Sequence, residues 1–375
     1  MSLTAAKAQL SCFADEAADG LMLRFSILYW PETDFCQHSV PYSEIISGGA
    51  PPDGIPPIDD PVFESIDAAR EWLQPQSPVI ALEINDNARA YPLAILIWHE
   101  IANDVVGGVP VAVTFCPLCN ASLVFDRRVE GEILRFGVSG NLRNSDMIMW
   151  DDRTQSWWQQ FTGEGIVGSH TGDMLTLLPS QVVGFGDFAA QYPDGQVLSR
   201  ETGSTRSYGT NPYIGYDSAA APFLFEGELD DRLAWNERVL AGTVAYLVGE
   251  PETIAYPFSI LSEERVINDI RGGLSVVAIW QDGMASALDG SSIDDSRLVG
   301  TAALYSRELN DETLTFSVDE NGVIRDDQTG SAWNVFGTST EGELAGSQLR
   351  QLSAAPHFWF AWVAFAPDTT VYGVS

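Results

Sequence analysis

The chain reads AYPLAILIWHEIANDVVGG from Ala90 to Gly108, and AYPFSILSEERVINDIRGG from Ala255 to Gly273. Nine of these nineteen positions are identical without a gap, where chance would give about one. A second match follows in each half, with DDRTQSWW at Asp151–Trp158 and DDQTGSAW at Asp326–Trp333. The sequence therefore predicts an internally duplicated protein.

The extent of this match sets the predicted domain organisation. Residues 1–78 form an N-terminal extension with a Pro/Gly-rich loop. Residues 79–202 are the first repeat unit, residues 203–238 a Tyr/Gly/Asn-rich bridge, and residues 239–375 the second unit. At 375 residues the chain is long enough for both units to bury a core.

Within a unit the pattern is mostly that of β-strands. Val109–Phe115 (VPVAVTF) is a β-branched run typical of a buried strand, and Leu274–Trp280 occupies the matching place in the second unit. Leu93–Ile101 is predicted to be a short helix, and Ser139–Asp146 a polar loop between strands. The predicted fold is mainly β, a β-rich α+β class with two tandem barrel- or sandwich-like units packed together.

The charge of the chain excludes several classes of partner. The formal net charge is −33, and Lys7 is the only lysine. Such a surface repels phosphate backbones and anionic lipid, so we expect neither a nucleic-acid nor a membrane partner. Because the acidic residues are scattered along the sequence, their excess over basic residues indicates halophilic adaptation to high salt.

The N-terminus gives the only indication of compartment. It lacks the cationic start and apolar core of a signal peptide. As the sequence stands it predicts a cytoplasmic protein, or an exported one if the N-terminus has been trimmed. The oligomeric state is left open.

Comparison of the two copies separates residues needed for packing from residues needed for chemistry, because packing residues have to be kept in both copies. Tyr91, Asn103 and Asp104 recur in the second unit, which favours structural roles for them. The softest metal-binding and redox-capable side chains do not recur: His99 faces Glu264, Cys116 faces Gln281, and Cys119 faces Met284. This pattern predicts one working site beside a degenerate copy, although sequence drift alone would also explain single replacements.

Two thiolates and an imidazole together suit a thiophilic ion. We therefore predict a metal site at His99, Cys116 and Cys119, with copper as the ion and zinc as the alternative, because copper accepts two or three such ligands. The concrete prediction is a copper-dependent oxidoreductase that acts on a small-molecule substrate, with Cys116 and Cys119 as its catalytic residues. The alternative is a copper or zinc binding or sensing protein without turnover.

A third hypothesis is that the chain is a dithiol–disulfide redox protein, because a CPxC sequence after a strand is typical of such sites. Those sites rely on a helix N-terminus to lower the first thiol's pKa, whereas Asn120–Phe125 (NASLVF) is predicted to be a strand. A reduced, buried turn without chemistry is the structural alternative. The other cysteines, Cys12 and Cys36, are predicted to be free thiols or small core residues.

Polar residues downstream of the cysteines are candidates for substrate binding or for support of the site. They are Asn141, Arg143 and Asn144 of the predicted loop, and Gln159, which faces Asn334 in the second unit. A turn held by its own side-chain hydrogen bonds explains the first three equally well. No P-loop, dinucleotide-binding, HExxH or GxSxG motif is present.

Three long runs resemble a prokaryotic family catalogued only as a domain of unknown function. They are SEIISGGAPPDGIPPIDDPVF from Ser43, AYPLAILIWHEIANDVVGGVPVAVTFCPLCNASLVFDR from Ala90, and FGVSGNLRNSDMIMWDDRT from Phe136. The resemblance implies a shared site at His99, Cys116 and Cys119, without naming a reaction. Many members of the family look exported or lipid-anchored, and this chain shows no such leader.

Overall fold

The computed structural model describes residues 28–244 and 251–374. The described α-helices are all short: α1 (Ile66–Ala69), α2 (Leu93–His99), α3 (Phe185–Gln191), α4 (Phe258–Glu264) and α5 (Trp359–Phe365). Two 3₁₀ turns lie at Tyr42–Glu44 and Tyr216–Ser218.

Strands make up most of the regular structure, which confirms the mainly β prediction. The part of the chain before the bridge contains β1 (Ile45–Ser47), β2 (Phe63–Ser65), β3 (Pro78–Ile84), β4 (Asn87–Pro92), β5 (Ile101–Val106), β6 (Val109–Cys116), β7 (Ala121–Asp126), β8 (Arg128–Val129), β9 (Glu132–Ile133), β10 (Phe136–Arg143), β11 (Asp146–Asp151), β12 (Trp157–Gln159), β13 (Gly165–Val167), β14 (Thr176–Leu178), β15 (Gln181–Gly184) and β16 (Gln196–Leu198). The part after it contains β17 (Arg238–Val244), β18 (Glu252–Pro257), β19 (Val266–Arg271), β20 (Leu274–Gln281), β21 (Thr301–Ser306), β22 (Glu308–Leu309), β23 (Glu312–Thr313), β24 (Phe316–Val318), β25 (Ile324–Asp326), β26 (Ala332–Trp333), β27 (Ser339–Glu341), β28 (Ala354–Phe358) and β29 (Thr370–Val371).

Three sheets position the candidate site. One has the order β14-β7-β6-β5, the second β1-β10-β11-β12-β13, and the third β15-β3-β4-β16-β2. Strand β6 is buried along nearly its whole length, as its run of apolar and β-branched residues predicts. Strands β6 and β7 pair antiparallel, with Cys116 opposite Ala121.

The same order of elements occurs in both halves. The first half runs β3-β4-α2-β5-β6-β7, and the second runs β17-β18-α4-β19-β20-β21. The hydrogen bonds recur as well. Asn103 exchanges two bonds with the backbone of Phe136, and Asn268 exchanges two with the backbone of Phe316. These matched bonds explain why the asparagine appears in both sequence repeats.

Two local predictions need correction. The predicted helix Leu93–Ile101 ends at His99, because Glu100 adopts a left-handed conformation (φ 59°) and starts the turn into β5. The predicted loop Ser139–Asp146 is mostly strand. Strands β10 and β11 form a hairpin whose tight turn consists of Asn144 and Ser145, both at positive φ.

The described cysteines differ in their bonding state. Cys116 and Cys119 are free thiols. Cys36, in contrast, is disulfide-bonded, which corrects the prediction of a free thiol there. The prediction for Cys12 concerns a residue outside the described part of the chain.

The two halves share their buried core. The apolar cluster around Cys116 and Cys119 also contains Val239 and Trp359 of the second half. The amide of Phe358 donates a hydrogen bond to the carbonyl of Cys119 (3.0 Å). The second half is therefore part of the environment of the candidate site. None of the described helices is long and apolar enough to cross a membrane.

Candidate metal centre

Cys116 and Cys119 lie on a tight turn between two adjacent strands. Cys116 is the last residue of β6, and β7 begins at Ala121, two residues after Cys119. The turn is closed by a hydrogen bond from the amide of Asn120 to the carbonyl of Pro117 (3.2 Å). No helix follows the second cysteine, so the helix dipole that activates thiol redox sites is absent here.

The residue that joins the two cysteines is Asp146. One ligand atom from each of the two thiols and the Asp146 carboxylate lie within 4.8 Å of one another, and all three residues are buried. Asp146 is the first residue of β11, directly after the Asn144–Ser145 turn, so the β10–β11 hairpin brings it to the cysteines. This arrangement is a set of two sulfur donors and one oxygen donor.

The two oxygens of the Asp146 carboxylate have different neighbours. Its Oδ2 accepts bonds from Gln159 Nε2 (2.7 Å) and from the amide of Phe161 (2.9 Å). Its Oδ1 is buried and has no nitrogen or hydroxyl partner in the described chain, and the Cys116 and Cys119 thiols are the other groups that hydrogen-bond the carboxylate. Thiols are weak hydrogen-bond donors, so they satisfy a buried carboxylate poorly. This oxygen is therefore available to a metal ion.

The electrostatics of the group favour a bound cation. Burial raises the pKa of Asp146 to about 7, and burial together with the charge of Asp146 raises the pKa of Glu100 to about 8. Burial also raises the pKa of the Cys116 thiol, and raises that of Cys119 strongly. Among the described residues, no basic side chain shifts the pKa of any of these four acidic groups. A bound cation would therefore supply the positive charge that balances them when they are ionised.

His99 is not part of this group. Its Nδ1 is hydrogen-bonded to the carbonyl of Pro56 (2.6 Å), and its Nε2 to the hydroxyl of Tyr208 (2.6 Å). With both ring nitrogens engaged, His99 ties the N-terminal extension to the bridge. Burial lowers its pKa, so the ring is neutral at pH 7. The structure therefore groups Asp146, and not His99, with the two cysteines.

The four polar candidates have different positions. Gln159 holds Asp146, as described above, and so supports the site. Asn141 lines the cleft beside Cys116. Arg143 forms an ion pair with Glu44 (2.7 Å), and Asn144 occupies the hairpin turn at φ 53°.

A cleft of about 200 Å³ lies beside Cys116 and Glu100. Its walls include Glu100, Cys116 and Asn141 from the first unit, and Tyr213 and Phe223 from the bridge. The bridge is held in place by hydrogen bonds from the Tyr216 hydroxyl to the carbonyl of Leu118 (2.9 Å) and from the Ser145 hydroxyl to the carbonyl of Phe223 (2.6 Å). The space is suited to a molecule of only a few heavy atoms.

Asp146 and Glu100 were missed by the sequence analysis, although the matched segments contained a signal for Glu100, which faces Arg265. Asp146 lies outside these segments, in a hairpin whose length differs between the halves, so it has no matched position. The backbone at Glu100 and Arg265 is nearly the same, with φ 59° and 63°. Because the conformation is kept while the side chain changes, the left-handed turn belongs to the scaffold and the carboxylate to the site.

The raised thiol pKa values predict slow chemistry at the free cysteines. We expect iodoacetamide to label Cys116 and Cys119 of the folded, metal-free protein at pH 8 at least about tenfold more slowly than in the unfolded chain, because both burial and a small thiolate fraction oppose the reaction. Mass spectrometry of timed samples measures the rate. Rapid labelling of Cys116 in the folded protein would instead indicate an activated thiol and a dithiol redox site.

The fold and the site define a class: a mainly β protein with a buried Cys–Cys–Asp group beside a small cleft, in the first of two similarly ordered halves. The chain belongs to the family described as "Protein of unknown function (DUF3179)", whose sequence profile matches residues 52–369. This confirms the predicted membership of an uncharacterised family. No curated protein and no solved structure matches the chain.

Proposed function

We propose that this protein is a metal-dependent oxidoreductase that acts on a small molecule, with its ion held by Cys116, Cys119 and Asp146. The observation that carries the proposal is the carboxylate of Asp146, whose Oδ1 is buried beside two buried thiols and has no stronger hydrogen-bond donor among the described residues. A metal ion would bind this oxygen and displace the thiol protons.

The donor set narrows the choice of ion. Two thiolates are soft ligands, which favours copper as the bound metal. The carboxylate in place of the expected imidazole also suits zinc, which accepts sulfur and carboxylate ligands together. Copper would supply electron transfer to or from the substrate. Zinc would make the same site a Lewis acid, and it remains the alternative.

The cleft supports an enzyme over a carrier that only stores the ion. Three protein ligands leave a position free for a substrate, as in catalytic metal sites. Glu100 lines the same cleft with its pKa raised to about 8, so it would hold a proton at neutral pH. A metal-binding or sensing protein without turnover is the second candidate.

The dithiol–disulfide alternative has less support. A redox-active CPxC pair needs an exposed thiol of lowered pKa. Here both thiols are buried, and the pKa of each is raised.

Metal analysis tests the proposal. We expect protein purified without chelator to contain about one copper or zinc ion per chain, and Cys116→Ser or Cys119→Ser to lose it. We expect Gln159→Leu to weaken metal affinity about 10- to 100-fold, because the bond that orients Asp146 is lost. Mass spectrometry and titration of the metal-free protein with Cu(I) or Zn(II) measure content and affinity.

His99→Asn is the matched control, since the sequence predicts His99 as a ligand while both of its ring nitrogens are hydrogen-bonded to other groups. We expect this variant to keep its metal. Loss of metal in His99→Asn with retention in Asp146→Asn would restore the sequence-based ligand set. A wild-type protein that binds neither ion would rule out the metal site altogether. If metal is bound, oxygen uptake with small thiols and amines distinguishes an enzyme from a carrier.

A further inference from the structure

A second cavity, of about 290 Å³, lies where the two halves of the chain meet. The first half contributes Leu123, Phe161 and the segment 177–180, and the second half contributes His357, Trp362 and further residues of both strands β17 and β28. Neither Cys116 nor Glu100 lines it, so it is separate from the cleft at the candidate metal centre.

The lining of this cavity is uncharged in a chain that is strongly acidic. Asp and Glu supply 52 of the 375 residues, yet no Asp, Glu, Lys or Arg is among the residues that line the cavity. A charged ligand would therefore be desolvated there without a partner, at a cost of several kcal/mol. The cavity is suited to an uncharged molecule.

Aromatic rings form one side of the cavity. Phe161 stacks on Phe365, with ring centroids 4.8 Å apart and an interplanar angle of 17°. His357 stacks on Trp362, with centroids 5.6 Å apart at 15°, and it also contacts Phe161 at 4.6 Å. Flat rings at these spacings favour a planar ligand that stacks or meets them edge to face.

His357 is the polar group of this wall, and its hydrogen bonding is incomplete. The residue is 2% exposed, and its buried Nδ1 has no hydrogen-bond partner among the described residues. Burial lowers the pKa of the ring to about 3, so the imidazole is neutral. A neutral imidazole offers one donor and one acceptor, and a hydroxyl group can pair with either.

We propose that this cavity binds an uncharged, planar aromatic molecule that carries a hydroxyl group, with the ring against Phe161 and Trp362 and the hydroxyl hydrogen-bonded to His357. The site exists only where the halves pack together, which gives the second half a role although it lacks the cysteines. The proposal is independent of the metal site, since it needs neither the ion nor its ligands.

Three matched probes test the proposal on the wild-type chain: 2-naphthol, naphthalene and 2-naphthoate. We expect 2-naphthol to bind, naphthalene to bind about fivefold more weakly because it lacks the hydroxyl, and 2-naphthoate not to bind because it is charged. Fluorescence titration at equal salt measures all three. The proposal is overturned if 2-naphthol does not bind, or if 2-naphthoate binds as tightly.

Two variants locate the binding. His357→Phe keeps a ring in place, and we expect it to bind 2-naphthol no more tightly than naphthalene while its melting temperature stays equal or rises, because a buried unpaired nitrogen is removed. Ala355→Trp fills the cavity from strand β28 and is expected to abolish binding of both neutral probes. Unchanged 2-naphthol binding in both variants would place the ligand elsewhere.

Discussion

We expect the metal-free protein to lose several kcal/mol of its free energy of unfolding as the pH rises from about 4 to about 8. In the folded state burial raises the pKa of Asp146 to about 7 and that of Glu100 to about 8, from ordinary values of 3.8 and 4.5. Between these limits the folded chain holds protons that the unfolded chain has released. Stability therefore falls with rising pH across this window.

Urea unfolding at a series of pH values, monitored by tryptophan fluorescence, measures this slope. Asp146→Asn is the matched control, since it removes one titrating carboxyl group and keeps its size. We expect a flatter slope in this variant and in the metal-bound wild type, because the ion compensates the ionised carboxylate. Equal slopes for the wild type and Asp146→Asn at one salt concentration would show that general self-repulsion of the acidic chain explains the effect.

The second large effect concerns a buried ion pair that anchors the bridge. The Arg238 guanidinium donates to both oxygens of Asp217, at 2.9 and 3.0 Å, and Ser286 donates to the same carboxylate at 2.5 Å. The Asp217 side chain is fully buried and that of Arg238 is 7% exposed. We expect Asp217→Ala to lower the free energy of unfolding by about 3–5 kcal/mol, because it leaves the Arg238 charge buried without its partner.

Asp230→Ala is the control for this prediction. Asp230 pairs with Arg232 at 2.8 Å in the same part of the chain, but both side chains are a quarter or more exposed. We expect this variant to lose no more than about 1 kcal/mol. Similar losses for the two variants in urea unfolding would contradict the importance of burial. Since the bridge covers the cleft, Asp217→Ala is also expected to expose Cys116 to thiol reagents.

The sequence pointed to the two cysteines because the matched segments served as an internal comparison. The second half has no cysteine at the positions that match Cys116 and Cys119, and the structure brings these two thiols together with Asp146. Gln159 was also found in this way, and it holds the Asp146 carboxylate. The strand pattern of β6 and the absence of a helix after Cys119 could be read directly from the β-branched runs.

The exchange of His99 for Asp146 could not be predicted. His99 and Glu100 are neighbours, but the left-handed backbone at Glu100 ends α2 and sends the two side chains to different surroundings. His99 meets Pro56 and Tyr208, and Glu100 faces the cleft. Asp146 reaches the cysteines only through the two-residue turn of the β10–β11 hairpin, whose length decides which residue lies opposite them.

The sequence by itself determined the repeated order of elements, the mainly β fold and the position of the two cysteines, because periodicity and residue type along the chain encode local structure. Only the tertiary structure decided that Asp146 lies beside the cysteines, that the bridge covers the cleft and that a cavity forms between the halves. Those features depend on contacts between residues far apart in the chain, such as Phe358 with Cys119 and Tyr216 with Leu118. Such contacts follow from how the sheets pack together, which no local pattern records.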